Sequence, residues 1–283
     1  PRPRLMTVQE ALKQAGASID RIDAQHLLGH LLAAGRASLI AHPERLLNAE
    51  QAKTYAALVT ARAAGTPVAY LTGTREFYGR DFAVNRHVLI PRPETELIVE
   101  QALARLSGQK WPAGRTSAGV LDMGTGSGAI AVTLALEQPQ ALVTACDVSA
   151  DALGMARQNA ARLQATVEFI ESDWYTALAG RRFDLIVANP PYVAGADAHL
   201  GQGDLRFEPP RALTDGSQDG LASIQAIVAG APQHLNPGGW LLLEHGYDQA
   251  AACRDLLLKA GLQNPICIKD LAGIDRVSGG QIG

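Results

Sequence analysis

The chain has 283 residues, of which 47% are hydrophobic and 19% are charged. This is the composition of a folded globular protein, and ordinary domain sizes predict about two domains for this length. The 25 Lys and Arg residues against 28 Asp and Glu residues give a formal net charge of −3, which argues against a nonspecific nucleic-acid binder, because such binding needs many basic side chains to neutralise phosphates.

Several other classes of protein are excluded by missing patterns. There is no run of about 18 apolar residues, so no membrane-spanning helix is predicted. The basic start, residues 1–4, lacks the apolar stretch of a signal peptide, and a cytoplasmic location is therefore expected. The three cysteines lie far apart without a CxxC pair, so neither a disulfide framework nor a metal site is predicted.

The first part of the chain is predicted to be helical. Residues 7–65 are rich in Ala and Leu at helical spacing, and segments 7–10 and 48–51 have the pattern of capping boxes at helix starts. Residues 76–84 alternate around a glycine and predict a β-hairpin. The prolines of segment 91–96 precede a helix that is predicted to run to about Leu106, and residues 108–119 are predicted to be a loop.

From Val120 onward, apolar strands alternate with helices. Strands are predicted at 120–122, 142–147, 167–170, 183–188 and 240–244, and helices at 128–137, 151–163, 221–235 and 249–260. Because the strands are nearly continuous in apolar residues, the pattern favours an α/β fold with a doubly wound, mostly parallel sheet. Ligands of such sheets bind beyond the carboxyl ends of the strands, so the residues that follow each strand are the candidates for function.

A glycine-rich turn follows the first of these strands. Its three glycines, Gly124, Gly126 and Gly128, let a ligand approach the backbone closely at the start of a helix. Gly124, Gly126 and Ala129 also match the dinucleotide fingerprint. The glycines alone therefore fit either a dehydrogenase or a methyltransferase.

Two further residues extend this predicted cofactor site. Asp147 ends the second strand about 20 residues after the turn, where a carboxylate can accept hydrogen bonds from both hydroxyls of an adenosine ribose, although it could instead cap the next helix. Trp174 follows the third strand, where its indole could cover an adenine. A tryptophan beside a sheet is, however, more often part of the core.

The fourth strand runs directly into Asn189-Pro190-Pro191-Tyr192. The prolines fix the backbone and leave carbonyls without neighbouring amide donors. The Asn189 side-chain oxygen and the Pro190 carbonyl form two acceptors for one NH2 group, and the Tyr192 ring can pack on the flat group that bears it. This segment favours methyl transfer to a planar amino or amide nitrogen; the alternative is an ordinary turn.

Five segments, in this order, resemble the HemK/PrmC family of S-adenosyl-L-methionine-dependent methyltransferases, which modify a glutamine side-chain amide in class I peptide chain release factors. They are 77–79, 88–96, 124–128, 189–192 and 239–246. The resemblance implies a helical N-terminal substrate-recognition domain over 1–73, a β-hairpin linker over 74–91 and a Rossmann-like methyltransferase domain over 92–283. It implies a release factor as protein partner, a role in translation termination, and neither a membrane nor a stable nucleic-acid partner.

The resemblance also assigns roles to individual residues. The implied cofactor-binding residues are Gly124, Thr125, Gly126, Ser127, Gly128, Asp147, Trp174 and Asn189. Residues 189–192 would hold the substrate glutamine, with Asn189, Pro190 and Tyr192 acting in catalysis. Arg92 and Glu94 are expected either to line the cofactor entrance or to form a structural ion pair. Segments 208–210 and 219–220 are expected to shape a loop over the site.

Three other functions share parts of the pattern. A sibling enzyme could methylate glutamine in a ribosomal protein. A nucleic-acid adenine amino methyltransferase would use the same Asn-Pro-Pro-Tyr chemistry, but such enzymes usually need a basic groove. A nicotinamide dehydrogenase would leave segment 189–192 unexplained.

The end of the chain contains Gly279-Gly280-Gln281, the tripeptide that holds the target glutamine in release factors. We expect a flexible tail here, in which the match is a coincidence. The alternative hypothesis is that Gln281 occupies its own or a neighbouring molecule's site as a pseudosubstrate.

Overall fold

The computed structural model describes residues 5–107 and 117–283. The basic start at 1–4 and the greater part of the predicted loop, 108–116, lie outside the described residues. The chain divides into two compact units: the residues up to Thr74 together with Gly203–Phe207, and Arg75–Gln202 together with Glu208–Gly283. In the described part of the chain, no helix is long and apolar enough to cross a membrane.

The first unit is helical. Its helices are α1 (Val8–Ala15), α2 (Arg21–Leu32), α3 (Arg36–Ala41), α4 (Ala49–Ala63) and α5 (Val68–Thr72). Both predicted capping boxes are confirmed. The side chains of Thr7 and Asn48 accept hydrogen bonds from the backbone amides of Glu10 and Gln51, whose side chains accept in return from the backbone amides of Thr7 and Asn48. The sequence did not predict α5, because the proline that precedes it reads as a turn.

The core of the first unit lies between its helices. Leu27 and Leu28 of α2 are fully buried in it. Arg62 of α4 forms ion pairs with Asp23 of α2 at 2.6 Å and with Asp204 at 2.7 Å. The Arg62 side chain thereby ties segment 203–207 to the helices of the same unit.

The predicted hairpin is present as β1 (Thr74–Phe77) and β2 (Arg80–Ala83). Phe77 and Phe82 are fully buried in the core of the second unit, with their rings edge to face at a centroid distance of 6.0 Å. The backbone of Ala83 exchanges two hydrogen bonds with the Asn159 side chain, at 2.7 and 2.9 Å. The hairpin therefore packs as part of the second unit.

A seven-stranded sheet forms the centre of the second unit. Its strands are β3 (Gly119–Met123), β4 (Leu142–Asp147), β5 (Glu168–Glu171), β6 (Phe183–Ala188), β7 (Leu235–Glu244), β8 (Gln263–Lys269) and β9 (Asp275–Gln281), in the order β5-β4-β3-β6-β7-β9-β8. The first five strands in this order are parallel, whereas β9 is antiparallel to both of its neighbours. The predicted doubly wound, mostly parallel sheet is confirmed.

Helices cover both faces of this sheet. The helices of the second unit are α6 (Glu96–Ser107), α7 (Ala129–Glu137), α8 (Ala150–Leu163), α9 (Pro210–Leu213), α10 (Ala222–His234) and α11 (Ala250–Lys259). Successive residues of β3 face opposite sides, because side chains alternate along a strand. Val120 packs in a core with Leu134 of α7, and Leu121 packs in a second core with Ile227 of α10.

The C-terminal residues are part of the sheet, which corrects the expectation of a flexible tail. Strand β9 lies between β7 and β8, and a Cβ added at Gly279 would come within 2.5 Å of the Leu241 carbonyl oxygen. The Gln281 side-chain amide donates to the Gly238 carbonyl at 2.9 Å. The glycine is thus required for strand packing. The pseudosubstrate hypothesis is incompatible with this fold, since Gln281 is held in place.

Candidate active site

The glycine turn connects β3 to α7. Gly124, Gly126 and Gly128 have φ angles of 69°, 56° and 81°, which glycine adopts without the steric cost of a side chain. A Cβ at Gly126 would meet no atom within 4 Å, whereas one at Gly128 would lie 3.1 Å from the Ala156 Cβ. Gly128 therefore allows close packing of α7 on α8, and the turn is open at Gly126.

Buried polar side chains stabilise this turn through hydrogen bonds. The Asp122 carboxylate accepts hydrogen bonds from the Thr125 hydroxyl at 2.6 Å and from the Ala131 amide at 3.2 Å, and burial raises its pKa to about 7. The side chains of Thr125 and Ser127 are buried. The Ser127 carbonyl accepts from the Asn159 side chain at 2.8 Å. Thr125 and Ser127 thus shape the turn from inside.

Asp147 lies at the end of β4 beside the turn. One of its oxygens accepts from the Gly126 amide and the other from the Ser149 amide, both at 2.9 Å. Burial raises the pKa of its carboxyl group, although these backbone donors oppose the rise. The cap of α8 is Ser149, whose side chain accepts from the Ala152 amide, so Asp147 does not have the alternative role of capping that helix.

The carboxyl ends of the parallel strands border a cavity of about 250 Å³. It brings together five of the predicted cofactor residues, namely Gly124, Gly126, Asp147, Trp174 and Asn189. Pro191 of the predicted substrate segment also lines it. Residues that were predicted to bind the cofactor, and that lie at or after the ends of four different strands, therefore line the same cavity.

Trp174 forms one wall of this cavity. Its φ angle is 46°, and its carbonyl accepts a hydrogen bond from the Ser172 hydroxyl at 2.8 Å. Its ring lies 3.7 Å from the position that a Cβ on Gly124 would occupy. The side chain also packs against the core beside β6, so the two alternatives considered for it are not exclusive.

The segment 189–192 leaves β6 and is held by side chains from distant parts of the chain. The Asn189 Nδ2 donates to the Thr95 hydroxyl at 3.1 Å, and the Tyr192 hydroxyl donates to the Glu244 carboxylate at 3.2 Å. The Tyr192 carbonyl accepts from the Gln249 side chain at 3.0 Å. Burial raises the pKa of the Tyr192 phenol, so its hydroxyl stays a donor.

Two further contacts fix the surroundings of this segment. Pro190 is buried. Gly220 has a φ angle of 68°, and a Cβ there would overlap the Tyr192 carbonyl. The expected segment 219–220 therefore packs directly on the end of segment 189–192.

Arg92 forms an ion pair with Glu208, a buried side chain that also accepts from the Ile90 amide at 2.9 Å. The structural ion pair considered for Arg92 is thus present, but with Glu208 and not with Glu94. It joins segment 88–92 to segment 208–210. Residues near both partners of this ion pair line the cavity. They are His87, Val88 and Leu89 near Arg92, and Pro209, Arg211 and Ala212 near Glu208.

Sequence reasoning missed Asp122, Thr95, Glu244 and Gln249 as parts of the site. Each of them acts on the glycine turn or on segment 189–192 through a buried contact, and Thr95 is 94 positions from its partner Asn189. One signal was available. Asp122 and Glu244 are acidic residues at the carboxyl ends of apolar strands, where such sheets place their functional groups.

Comparison with known proteins places this site in a family. Residues 5–73 match the family model described as PrmC N-terminal domain, and residues 103–204 match Methyltransferase small domain. The chain is 51% identical over 269 residues to the release factor glutamine methyltransferase of Bordetella pertussis, a match that covers 95% of this chain and 97% of that protein. It is 50% identical over 288 residues to the one from Burkholderia pseudomallei, with 99% and 98% covered.

A solved methyltransferase structure from Pyrococcus furiosus matches with a TM-score of 0.54 and 21% identity, covering 81% of this chain and 98% of that chain. This likeness supports the Rossmann-like methyltransferase fold alone. The identity to the bacterial relatives over nearly the whole length confirms the resemblance found in the motifs. The chain belongs to the release factor glutamine methyltransferase family, HemK/PrmC.

Proposed function

We propose that this protein transfers the methyl group of S-adenosyl-L-methionine to the side-chain amide nitrogen of the glutamine in the Gly-Gly-Gln motif of class I peptide chain release factors. The reaction would modulate translation termination in the cytoplasm. The observation that supports it most is that Asn189 and Pro191 border the same cavity as the glycine turn. The names of the relatives point to the same substrate.

The residues of the cavity fit S-adenosylmethionine. The open space at Gly126 would admit a ligand to the backbone, the Asp147 carboxylate would accept hydrogen bonds from ribose hydroxyls, and the Trp174 ring would cover the adenine. The Thr125 hydroxyl and the Ser127 carbonyl keep the turn in shape through their bonds to Asp122 and Asn159. When bound, the cofactor supplies an electrophilic methyl group on a sulfonium.

Residues 189–192 would present the substrate amide. The Asn189 side-chain oxygen and the Pro190 carbonyl would accept hydrogen bonds from its NH2 group, while the Tyr192 ring packs on the amide plane. An amide nitrogen is a poor nucleophile because its lone pair is delocalised. Two fixed acceptors orient that nitrogen and stabilise the positive charge that grows on it as the new N–C bond forms and the S–C bond breaks. The proton can leave to solvent afterwards, so no strong base is needed.

We assign the domains in the same way. Residues 1–73 would recognise the release factor, 74–91 would link the domains, and 92–283 would perform the methyl transfer. Deleting the helical domain should therefore raise the KM for a whole release factor more than the KM for a short Gly-Gly-Gln peptide.

Incubation with methyl-labelled S-adenosylmethionine and a purified release factor, followed by peptide mass spectrometry, tests the proposal. We expect label on the Gly-Gly-Gln glutamine, none when that glutamine is replaced by alanine, and a strongly reduced rate of labelling with the Asn189→Ala enzyme. A folded release factor that stays unlabelled, despite cofactor binding measured by calorimetry, would refute this substrate. Ribosomal proteins and nucleic acids would then be tested as acceptors.

A further inference from the structure

A chain of polar contacts lies behind Asn189, and two of its members, Thr95 and Glu244, have no role in the proposed reaction. The Asn189 Nδ2 donates to the Thr95 hydroxyl at 3.1 Å. The Thr95 hydroxyl lies beside the Glu244 carboxylate and lowers its pKa, and the Tyr192 hydroxyl donates to that carboxylate at 3.2 Å. Thr95 and Glu244 are only 4% and 1% exposed, so solvent is poorly placed to substitute for either partner.

The chemistry of these groups gives the chain a direction. An ionised carboxylate can only accept hydrogen bonds, so the neighbouring Thr95 hydroxyl turns its single proton toward Glu244. The Thr95 oxygen can then act only as an acceptor toward Asn189. The Asn189 amide must therefore turn its NH2 group toward Thr95, which leaves its oxygen free on the other side.

This direction matters for the proposed reaction. The two ends of an asparagine amide have nearly the same shape, so packing alone does not choose between them. With the opposite orientation, an NH2 donor would face the NH2 group of the substrate glutamine. Two donors repel each other, and the lone pair of the substrate nitrogen would lose one of its two orienting acceptors.

We propose that Thr95 and Glu244 are positioning residues that fix the Asn189 side chain with its oxygen toward the methyl acceptor, and that Glu244 at the same time holds the Tyr192 ring. The inference rests on the proposed function, because Asn189 is taken to bind the substrate amide. Neither residue touches the substrate. Both act through the two side chains that do.

The surroundings of Glu244 make this device sensitive to protonation. The groups that face it are the Tyr192 and Thr95 hydroxyls and the charges of Arg276 and Glu94, and Arg92 lies near Tyr192. Burial raises the pKa of Glu244 to about 7, against the effect of its hydrogen bonds and of Arg276. Among the described residues, its Oε2 has no hydrogen-bond partner. A protonated Glu244 can donate as well as accept, and the direction of the chain is then no longer enforced.

Three threonine variants test the proposal. Thr95→Val keeps the shape and removes the hydroxyl, Thr95→Ser restores the hydroxyl, and Thr133→Val is a matched control. Thr133 is buried in α7, and its hydroxyl has no hydrogen-bond partner within the described part of the chain. We expect Thr95→Val to lower kcat by about 10-fold or more, while calorimetry finds S-adenosylhomocysteine affinity changed by less than about threefold. Thr95→Ser and Thr133→Val should stay close to the wild type.

The pH profile provides a second readout that a purely structural role would not change. At saturating substrates, the wild-type kcat should fall on the acid side with an apparent pKa near the value of Glu244, and Glu244→Gln should lack this limb. Asp184→Asn should retain it, because Asp184 is a buried carboxylate at the other end of β6, where it accepts from the Gly119 amide.

The outcomes separate the inference from the proposed function. Normal kcat in Thr95→Val, equal loss in Thr95→Ser and Thr95→Val, or an unchanged acid limb in Glu244→Gln would overturn the inference while the function stands. A wild-type enzyme that does not label the release factor would overturn the function and this inference with it. Melting temperatures of all variants show whether each one is folded.

Discussion

Replacing Asp147 with alanine is expected to weaken cofactor binding by ~1.5–3 kcal/mol, the contribution of hydrogen bonds to a charged group. The structure positions the carboxylate through two backbone amides, Gly126 and Ser149, each at 2.9 Å. Asp147 borders the same cavity as Trp174 and the glycine turn. The free-energy loss corresponds to a rise of about 10- to 150-fold in Kd.

The same substitution removes the acceptor that holds the Gly126 amide, so some loss of stability accompanies it. Burial raises the pKa of Asp147, which means that its charge is itself unfavourable inside the folded protein. The fall in melting temperature should therefore be smaller than the loss of two hydrogen bonds alone would give. Ligand affinity is for this reason the more decisive measurement.

Isothermal titration calorimetry with S-adenosylhomocysteine measures this effect directly. Glu171→Ala is the matched control, because Glu171 is the exposed acidic residue that pairs in register with Asp147 at the same edge of the sheet. We expect near-normal affinity for Glu171→Ala. Wild-type affinity in Asp147→Ala, or an equal loss in both variants, would refute the role of Asp147 in ribose binding.

Three further outcomes are expected. Asn189→Ala should lower kcat by about 10² or more, as removal of one oriented polar group from an active site does; labelled methyl transfer at saturating substrates measures it, and near-normal turnover would contradict the mechanism. Gly220→Ala should lower both melting temperature and kcat, because its Cβ would overlap the Tyr192 carbonyl at a φ of 68°; calorimetry and the same assay report both. Burial raises the pKa of Asp122 and of Glu244 to about 7 in the folded protein. The protonated forms therefore stabilise the fold fully below the pKa of these groups in the unfolded chain, near 4. This stabilisation is lost as the pH rises through their pKa in the folded protein. The free energy of unfolding in urea should therefore fall by ~1 kcal/mol per group between about pH 6.5 and 8.5, and a rise over this range would contradict it.

The sequence was most informative about the parallel part of the sheet. Strands β4 and β6 have the predicted bounds, because a strand buried on both faces reads as a continuous apolar run that ends where the ligand edge begins. The helix starts at Thr7 and Asn48 were equally readable, since a capping box depends only on residues three positions apart.

The antiparallel strands β8 and β9 could not be predicted in the same way. Strand β8 contains Pro265 and β9 contains Gly279 and Gly280, which are residues that disfavour a strand in isolation. They form strands because β7 offers β9 a ladder of backbone partners. Glycine is then favourable in β9, because the neighbouring strands approach too closely to leave room for a side chain at Gly279.

The site showed the same division. The residues proposed to touch a ligand could be located, because they follow strands at fixed places in the sequence. The groups that hold them could not, since the contacts of Thr95 with Asn189 and of Tyr192 with Glu244 join positions 94 and 52 residues apart. Their pairing depends on the three-dimensional order of β6 and β7.

The placement of Gly279-Gly280-Gln281 within β9 has a consequence for how the enzyme could distinguish itself from its substrate. Every copy of the protein has the target tripeptide in its own sequence, yet the Gln281 amide nitrogen is engaged with Gly238 in the sheet. Self-methylation would require the end of β9 to separate from β7 and β8 first. On the proposed function, the folded enzyme would therefore not compete with release factors for its own active site, however concentrated it becomes. Recognition of the methyl acceptor would then depend on the accessibility of the Gly-Gly-Gln tripeptide as much as on its sequence.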